Sequence, residues 1–156
     1  MGDFIKILGE YLARNRSRAK NFYLLKASMA AAALIAKADG VACSKESRRA
    51  KDVIRFLKLL RLFDPRHGLE IFTQHVRTLE KTPERGHAEV MKAIRTVAGN
   101  AEESALLVQI CRSISEADGK VTEDEVETID RICLILDIDP AVIKSVKIEA
   151  PKPYEN

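Results

Sequence analysis

Apolar residues recur three and four positions apart along almost the whole chain, and sustained apolar–polar alternation typical of a strand is missing from the sequence. This pattern predicts an all-α fold, a compact domain of about seven to eight helices. A short first helix carries an apolar stripe through Phe4, Ile7, Leu8, Tyr11 and Leu12, and a short last helix begins near Pro140.

The second predicted helix, roughly 20–38, is apolar nearly all round, so we expect it at the centre of the domain. The third runs from about 44 to 62 and stops before Asp64-Pro65, because the residue preceding a proline disfavours helix. The residues expected to face inward in the third to seventh predicted helices are Val53, Ile54, Leu57 and Leu60; Leu69, Phe72, Val76 and Leu79; Val90, Met91, Ile94 and Val97; Leu107, Ile110, Cys111 and Ile114; and Val126, Ile129, Ile132, Cys133 and Leu136.

Three helix starts carry capping signals. Thr82 is the predicted N-cap of the fifth helix, with Pro83 at its first position, and Asn100 is the predicted N-cap of the sixth. Thr122 with Glu125 has the spacing of a capping box at the start of the seventh.

The strongest signal is an internal repeat: residues 35–40 (Ile-Ala-Lys-Ala-Asp-Gly) match residues 114–119 (Ile-Ser-Glu-Ala-Asp-Gly) at an offset of 79. In each copy a glutamate follows the aspartate by seven residues, and each copy closes with Asp-Pro. We expect two helix–loop–helix hairpins, about 20–65 and 100–140, joined by two linking helices. Because neither hairpin can bury its apolar face alone, they should pack as a single domain over 1–149, followed by a loose tail, 150–156.

The composition, 46% hydrophobic and 31% charged, is that of a globular protein. The longest uncharged apolar stretch, 27–36, is too short to cross a bilayer, so we expect no transmembrane segment. The three cysteines lack the C-x-x-C spacing of zinc and redox motifs, which favours reduced thiols in a cytoplasmic chain. Cys111 and Cys133 fall on apolar helical faces, whereas Cys43 lies in a predicted loop and should be accessible.

The charge is uneven: residues 1–64 carry a net charge of +8 and residues 65–156 a net charge of −5. The two halves are either two partner surfaces or two ordinary solvated faces. The basic residues of the first half include Arg14, Arg16, Arg18 and Lys20, with Arg48, Arg49 and Lys51. These residues are the basis of an alternative, an anion-binding module that contacts nucleic acid or an anionic membrane. Because the sequence has no nucleic-acid recognition motif, we expect no binding to a specific nucleic acid.

The second Asp-Gly loop resembles a calcium-binding loop, since Asp118, Gly119 and Glu125 fall at positions 5, 6 and 12 of an EF-hand. Position 1, however, is Ile114, and Ile35 in the first copy, so neither loop is an EF-hand. Three interpretations remain: the loops only cap helices, they bind a divalent cation, or they form an acidic face that docks a partner.

Enzyme motifs are missing from the sequence, including a phosphate-binding glycine loop, H-E-x-x-H and G-x-S-x-G. His67, His75 and His87 share no ligand spacing and are expected to be surface or capping residues. We therefore expect a protein without enzymatic activity and without catalytic residues.

The duplicated Ala-Asp-Gly units, the Val121-Thr122-x-x-Glu125 segment and the two Asp-Pro closures resemble the TerB-like tellurite-resistance family over nearly the whole chain. The resemblance implies a compact helical fold, a role in resistance to tellurite and related stress, and acidic positions that bind divalent metal. By motif, the metal-binding positions are Asp39, Glu46, Asp118 and Glu125.

The first copy departs from this pattern, because residues 42–45 (Ala-Cys-Ser-Lys) replace the 121–124 segment (Val-Thr-Glu-Asp), and Lys37 stands close by. Any cation is therefore expected mainly at the second loop. We further expect the chain to act as an adaptor that binds a protein partner. One expected location for this contact is the cytoplasmic face of the membrane. The metal's identity, the partner and the oligomeric state stay open.

Overall fold

The computed structural model describes residues 6, 8, 10, 18–38, 48–60, 64–116 and 122–139. Within these residues the chain forms helices and no strand, which confirms the all-α prediction. The helices are α1 (Arg18–Ala38), α2 (Arg48–Leu60), α3 (Pro65–Lys81), α4 (Pro83–Arg95), α5 (Ala101–Glu116) and α6 (Glu123–Ile135). Residues 6, 8 and 10, in the first predicted helix, are also helical, whereas the last predicted helix and the tail lie outside the described residues.

Helix α1 is the centre of the molecule, as its sequence predicts. It packs against α3, α4, α5 and α6. Residues 27–36 are all buried, including four consecutive alanines at 30–33. Their small side chains let neighbouring helices approach α1 on every side.

The remaining helices cover α1 with apolar stripes that merge into one core. Helix α3 packs against α2 and α4, and α6 packs against α4 and α5. The buried residues of this core include Val53 and Phe56; Phe72, Val76 and Leu79; Val90 and Ile94; Leu106, Leu107 and Ile114; and Ile129 and Ile132. Because the core draws on both predicted hairpins and on the linking helices, no described helix has a core of its own. The single domain over 1–149 stays a prediction.

The predicted inward stripe of α6 is wrong at its first position. Val126 is 48% exposed, while Glu125 is 0% exposed. The buried stripe follows 125, 129, 132 and 136, at the four- and three-residue steps of a helix, so the position facing inward falls on Glu125. Elsewhere Ile54, Leu69 and Met91 are only half-buried, and the side chains of Leu57 and Leu60 lie outside the described residues.

Helices α3 and α4 meet at a tight corner around Thr82. Pro83 occupies the first position of α4, as predicted, but the predicted side-chain cap is wrong, because the Thr82 hydroxyl donates instead to the Thr78 carbonyl oxygen at 3.2 Å. The two helices then approach so closely that a Cβ on Gly86 would lie 2.7 Å from the Cα of Leu79. Glycine is therefore required at this crossing.

In the described part of the chain, no helix combines the length and the apolar character needed to cross a membrane.

Candidate functional site

Glu125 is the one predicted metal-binding residue that the structure describes. Asp39, Glu46 and Asp118 lie outside the described residues, as does Cys43. For the three acids, the structure gives the position of the neighbouring helix ends. Asp39 directly follows the last residue of α1, and Glu46 precedes the start of α2 at Arg48 by two residues. Asp118 lies in the connection between the end of α5 at Glu116 and the start of α6 at Glu123.

The start of α6 is held by Thr122, which has extended backbone angles (φ −82°, ψ 159°). The Glu125 backbone N–H donates to Thr122 Oγ1 at 3.2 Å, which confirms the predicted cap. Three acids, Glu123, Asp124 and Glu125, occupy the first turn. The partial positive charge at a helix N-terminus favours their carboxylates, so α6 begins at a strongly acidic and locally stabilised corner.

Two of these acids are exposed and the third is buried. Glu123 and Asp124 face solvent, whereas Glu125 is 0% exposed and occupies the inward position of the α6 stripe. Burying a carboxylate costs free energy unless neighbouring donors or cations compensate its charge. A glutamate carboxylate is also a group that hard divalent cations take as a ligand, and Glu125 follows Asp118 by seven residues in the chain.

The start of α5 repeats this arrangement without an Asp-Gly loop. The Glu103 backbone N–H donates to Asn100 Oδ1 at 3.0 Å, which confirms the predicted cap, and Glu103 is only 9% exposed. The Ser104 hydroxyl donates to the Val97 carbonyl oxygen at 3.0 Å and ties the same turn to the preceding segment. Glu103 was not among the predicted site residues, although the Asn-x-x-Glu spacing is that of a capping box.

On the side of the first loop, Lys37 is engaged with another helix. Its half-buried ammonium Nζ donates to the Leu79 carbonyl oxygen at 3.0 Å, in the last turn of α3. A lysine at this place satisfies a carbonyl that the helix leaves open and suits the negative end of the helix dipole. A fixed positive charge therefore sits two residues before Asp39, which adds to the difference between the two loops.

Cys111 and Cys133 are both fully buried, as predicted. Burial raises the pKa of the Cys111 thiol to about 12, and it raises the pKa of Cys133 as well. Because the thiolate is the form that attacks electrophiles and binds metals, these two residues serve as core side chains at neutral pH.

The histidines form no metal site in the part of the chain that the structure describes, where no three His, Cys, Asp or Glu residues are grouped to hold an ion. His67 and His87 are exposed, as predicted, and the His67 ring stacks on Phe22 with centroids 5.5 Å apart. His75, in the middle of α3, is half-buried, and burial lowers its pKa against the opposing effect of Glu89.

Comparison with known protein families identifies the family of this chain. The family model described as "Tellurite resistance protein TerB" matches residues 25–148, from the first turns of α1 to beyond α6. No curated protein and no solved structure matches the chain. The matched region is well over half of the 156 residues and includes both Asp-Gly loops. The chain therefore belongs to the TerB family of tellurite resistance proteins.

Proposed function

We propose that this TerB-family chain is a non-enzymatic stress protein that binds a hard divalent cation, mainly at its second Asp-Gly loop. The carboxylates of Asp118 and Glu125 supply the ligands at this loop, and Asp39 and Glu46 form a weaker counterpart at the first. The observation that carries the proposal is the fully buried Glu125 carboxylate at the start of α6, directly after the loop that contains Asp118.

The chemistry of the second loop favours calcium, magnesium or manganese over softer ions. Residues 116–125 contain five carboxylates and no cysteine or histidine. Oxygen ligands select hard cations, whereas thiolates and imidazoles select zinc and copper. The two buried thiols add no soft ligand, because burial raises the pKa of each and keeps it protonated.

We further propose that cation binding controls an adaptor surface. Glu123 and Asp124 are exposed beside the buried Glu125, so the start of α6 is negative while the loop is empty of cation. A bound divalent cation offsets this charge and changes which partner surfaces the corner attracts. The partner is a protein, and contact at the cytoplasmic face of the membrane is part of the proposal.

Isothermal titration calorimetry of the full chain with calcium, magnesium, manganese and zinc tests the proposal. We expect saturable heats with at least one of the three hard cations. The double variant Asp118→Asn with Glu125→Gln should remove them, since it keeps the side-chain shapes but takes away both charges. Absent heats with all three hard cations, or unchanged heats in the double variant, would refute cation binding at this loop.

A further inference from the structure

The second helices of the two hairpins carry opposite charges at matched positions of the repeat. With the offset of 79 residues, Arg48 and Lys51 of the first copy correspond to Glu127 and Asp130 of α6, and Lys58 corresponds to Asp137, two residues past the end of α6. At these three positions the charge is inverted between the copies, whereas Arg55 corresponds to the uncharged Leu134. Neither helix capping nor cation binding at the loops requires this inversion.

The basic face lies on α2. Lys51, Arg55 and Lys58 are exposed and follow one another at steps of four and three residues, which places them on one side of the helix. The opposite side of α2 is buried through Val53 and Phe56. Within the described part of the chain, the three basic side chains form no ion pair.

The acidic face lies on α6. Glu127 and Asp130 are exposed, and Leu134, four residues further along, is 77% exposed. Arg131 pairs with Glu127 at 3.1 Å on the same helix. Acids and an exposed leucine therefore share this surface, which also includes the half-exposed Val126.

We propose that copies of this chain associate head to tail, with the basic face of α2 from one copy on the acidic face of α6 from the next. The two faces have opposite charges and the same length, since each runs over eight residues, 51–58 and 127–134, and so spans about 10 Å of helix. Like faces repel each other, so the contact joins two different faces and a symmetric pairing of one face is disfavoured. The exposed Leu134 side chain adds an apolar contact at one end of the acidic face.

The association should be weak and sensitive to salt. Exposed ion pairs contribute little each, and one helix face on another buries a small area compared with a stable dimer. Salt should weaken the association by screening the attraction between the two charged faces, because the Debye length falls from ~30 Å at 0.01 M salt to ~3 Å at 1 M. We expect the association constant to fall at least about tenfold over this range.

Sedimentation velocity of the full chain at several concentrations, with a chelator present so that the cation site plays no part, provides the test. Variant A (Lys51→Glu, Arg55→Glu, Lys58→Glu) makes the α2 face acidic, and variant B (Glu127→Lys, Asp130→Lys) makes the α6 face basic. The control (Arg66→Glu, Arg77→Glu, Lys92→Glu) changes the net charge as variant A does, but at exposed residues of α3 and α4.

We expect concentration-dependent association of the wild type and of the control at low salt, and its loss at high salt. Variants A and B should each remain monomeric alone and associate when mixed, because each then presents the charge that the other needs. Circular dichroism should show the same helix content in all four proteins. A monomeric wild type at low salt, association of A or B alone, or a mixture of A and B that stays monomeric would overturn the proposal.

Discussion

The starts of α5 and α6 share one local design and differ in the segment that precedes it. In both, a polar side chain accepts the backbone N–H of a glutamate three residues later, Glu103 or Glu125. Both glutamates are buried, at 9% and 0% exposure. Ahead of α5 the chain turns through Gly99, with φ at +93°, whereas ahead of α6 it carries Asp118-Gly119.

This similarity shows that a buried glutamate at a helix start does not by itself indicate a cation site. Glu103 occupies its place without an Asp-Gly loop, so capping alone accounts for such a residue. What sets Glu125 apart is the company of Asp118, Glu116, Glu123 and Asp124 within ten residues. The proposed cation site therefore depends on the loop and the helix start together, and α5 supplies a matched control within the same chain.

Both helix starts depend on α1, which packs against α5 and against α6. Separating the chain into 1–81 and 82–156 takes α1 away from both, so we expect each half to be unfolded or aggregated, with loss of essentially all stability. Circular dichroism and thermal unfolding of the two halves measure this. Two halves that each melt cooperatively would contradict the dependence on one core.

The next largest effect should be a difference in cation binding between the two loops. Asp118→Asn with Glu125→Gln should remove measurable cation binding, whereas Asp39→Asn with Glu46→Gln should leave most of it, because the first loop has fewer acids and Lys37 nearby. Calorimetric titration of both double variants measures the difference. Equal losses would show that the two loops act as one site or as two equivalent sites.

A smaller effect should come from the caps themselves. Asn100→Ala and Thr122→Ala each remove an acceptor at a helix start, so each should lower the free energy of unfolding by about 1 kcal/mol. Urea unfolding with a chelator present should give similar losses for the two variants. With cation added, Thr122→Ala alone should also weaken the stabilisation by cation, and a matching loss in Asn100→Ala would remove the distinction between the two starts.

The smallest effect concerns the basic N-terminal run, which is the basis of the anion-binding alternative. At about 0.15 M salt the Debye length is ~8 Å, so scattered surface charges are largely screened. We expect negligible binding to duplex DNA and to phosphatidylserine vesicles, and little change beyond solubility on reversing Arg14, Arg16 and Arg18 to Glu. Micromolar binding that vanishes in the triple variant would favour the anion-binding module over the adaptor.

Much of the fold follows from the sequence because helical periodicity and capping are local. The central α1, and the caps at Asn100 and Thr122, were predicted from residues within a few positions of one another. Two predictions were wrong because their outcome depends on packing between helices or on competition between hydrogen-bond acceptors. At α6 the inward stripe passes through Glu125, although Val126 is the apolar residue, and at Thr82 the hydroxyl donates to the preceding helix.

The candidate site was less accessible to prediction. The repeat indicates which acids are equivalent, but it does not give the packing of α6 against α1 and α5, on which the burial of Glu125 depends. The same applies to Lys37, whose bond to the Leu79 carbonyl joins residues 42 positions apart. Asp39, Glu46 and Asp118 remain predictions from the repeat and from the family resemblance.

The most direct test of cation binding at the second Asp-Gly loop compares Glu125→Gln with Glu103→Gln in one calorimetric experiment with the hard cation that binds best. Both variants replace a buried glutamate at the third position of a capped helix by its neutral amide, so their effects on capping should be alike. We predict that Glu125→Gln loses most of the cation binding and that Glu103→Gln keeps the wild-type affinity. Equal affinities in the two variants would contradict a cation site at Glu125 and leave the second Asp-Gly loop with helix capping as its role.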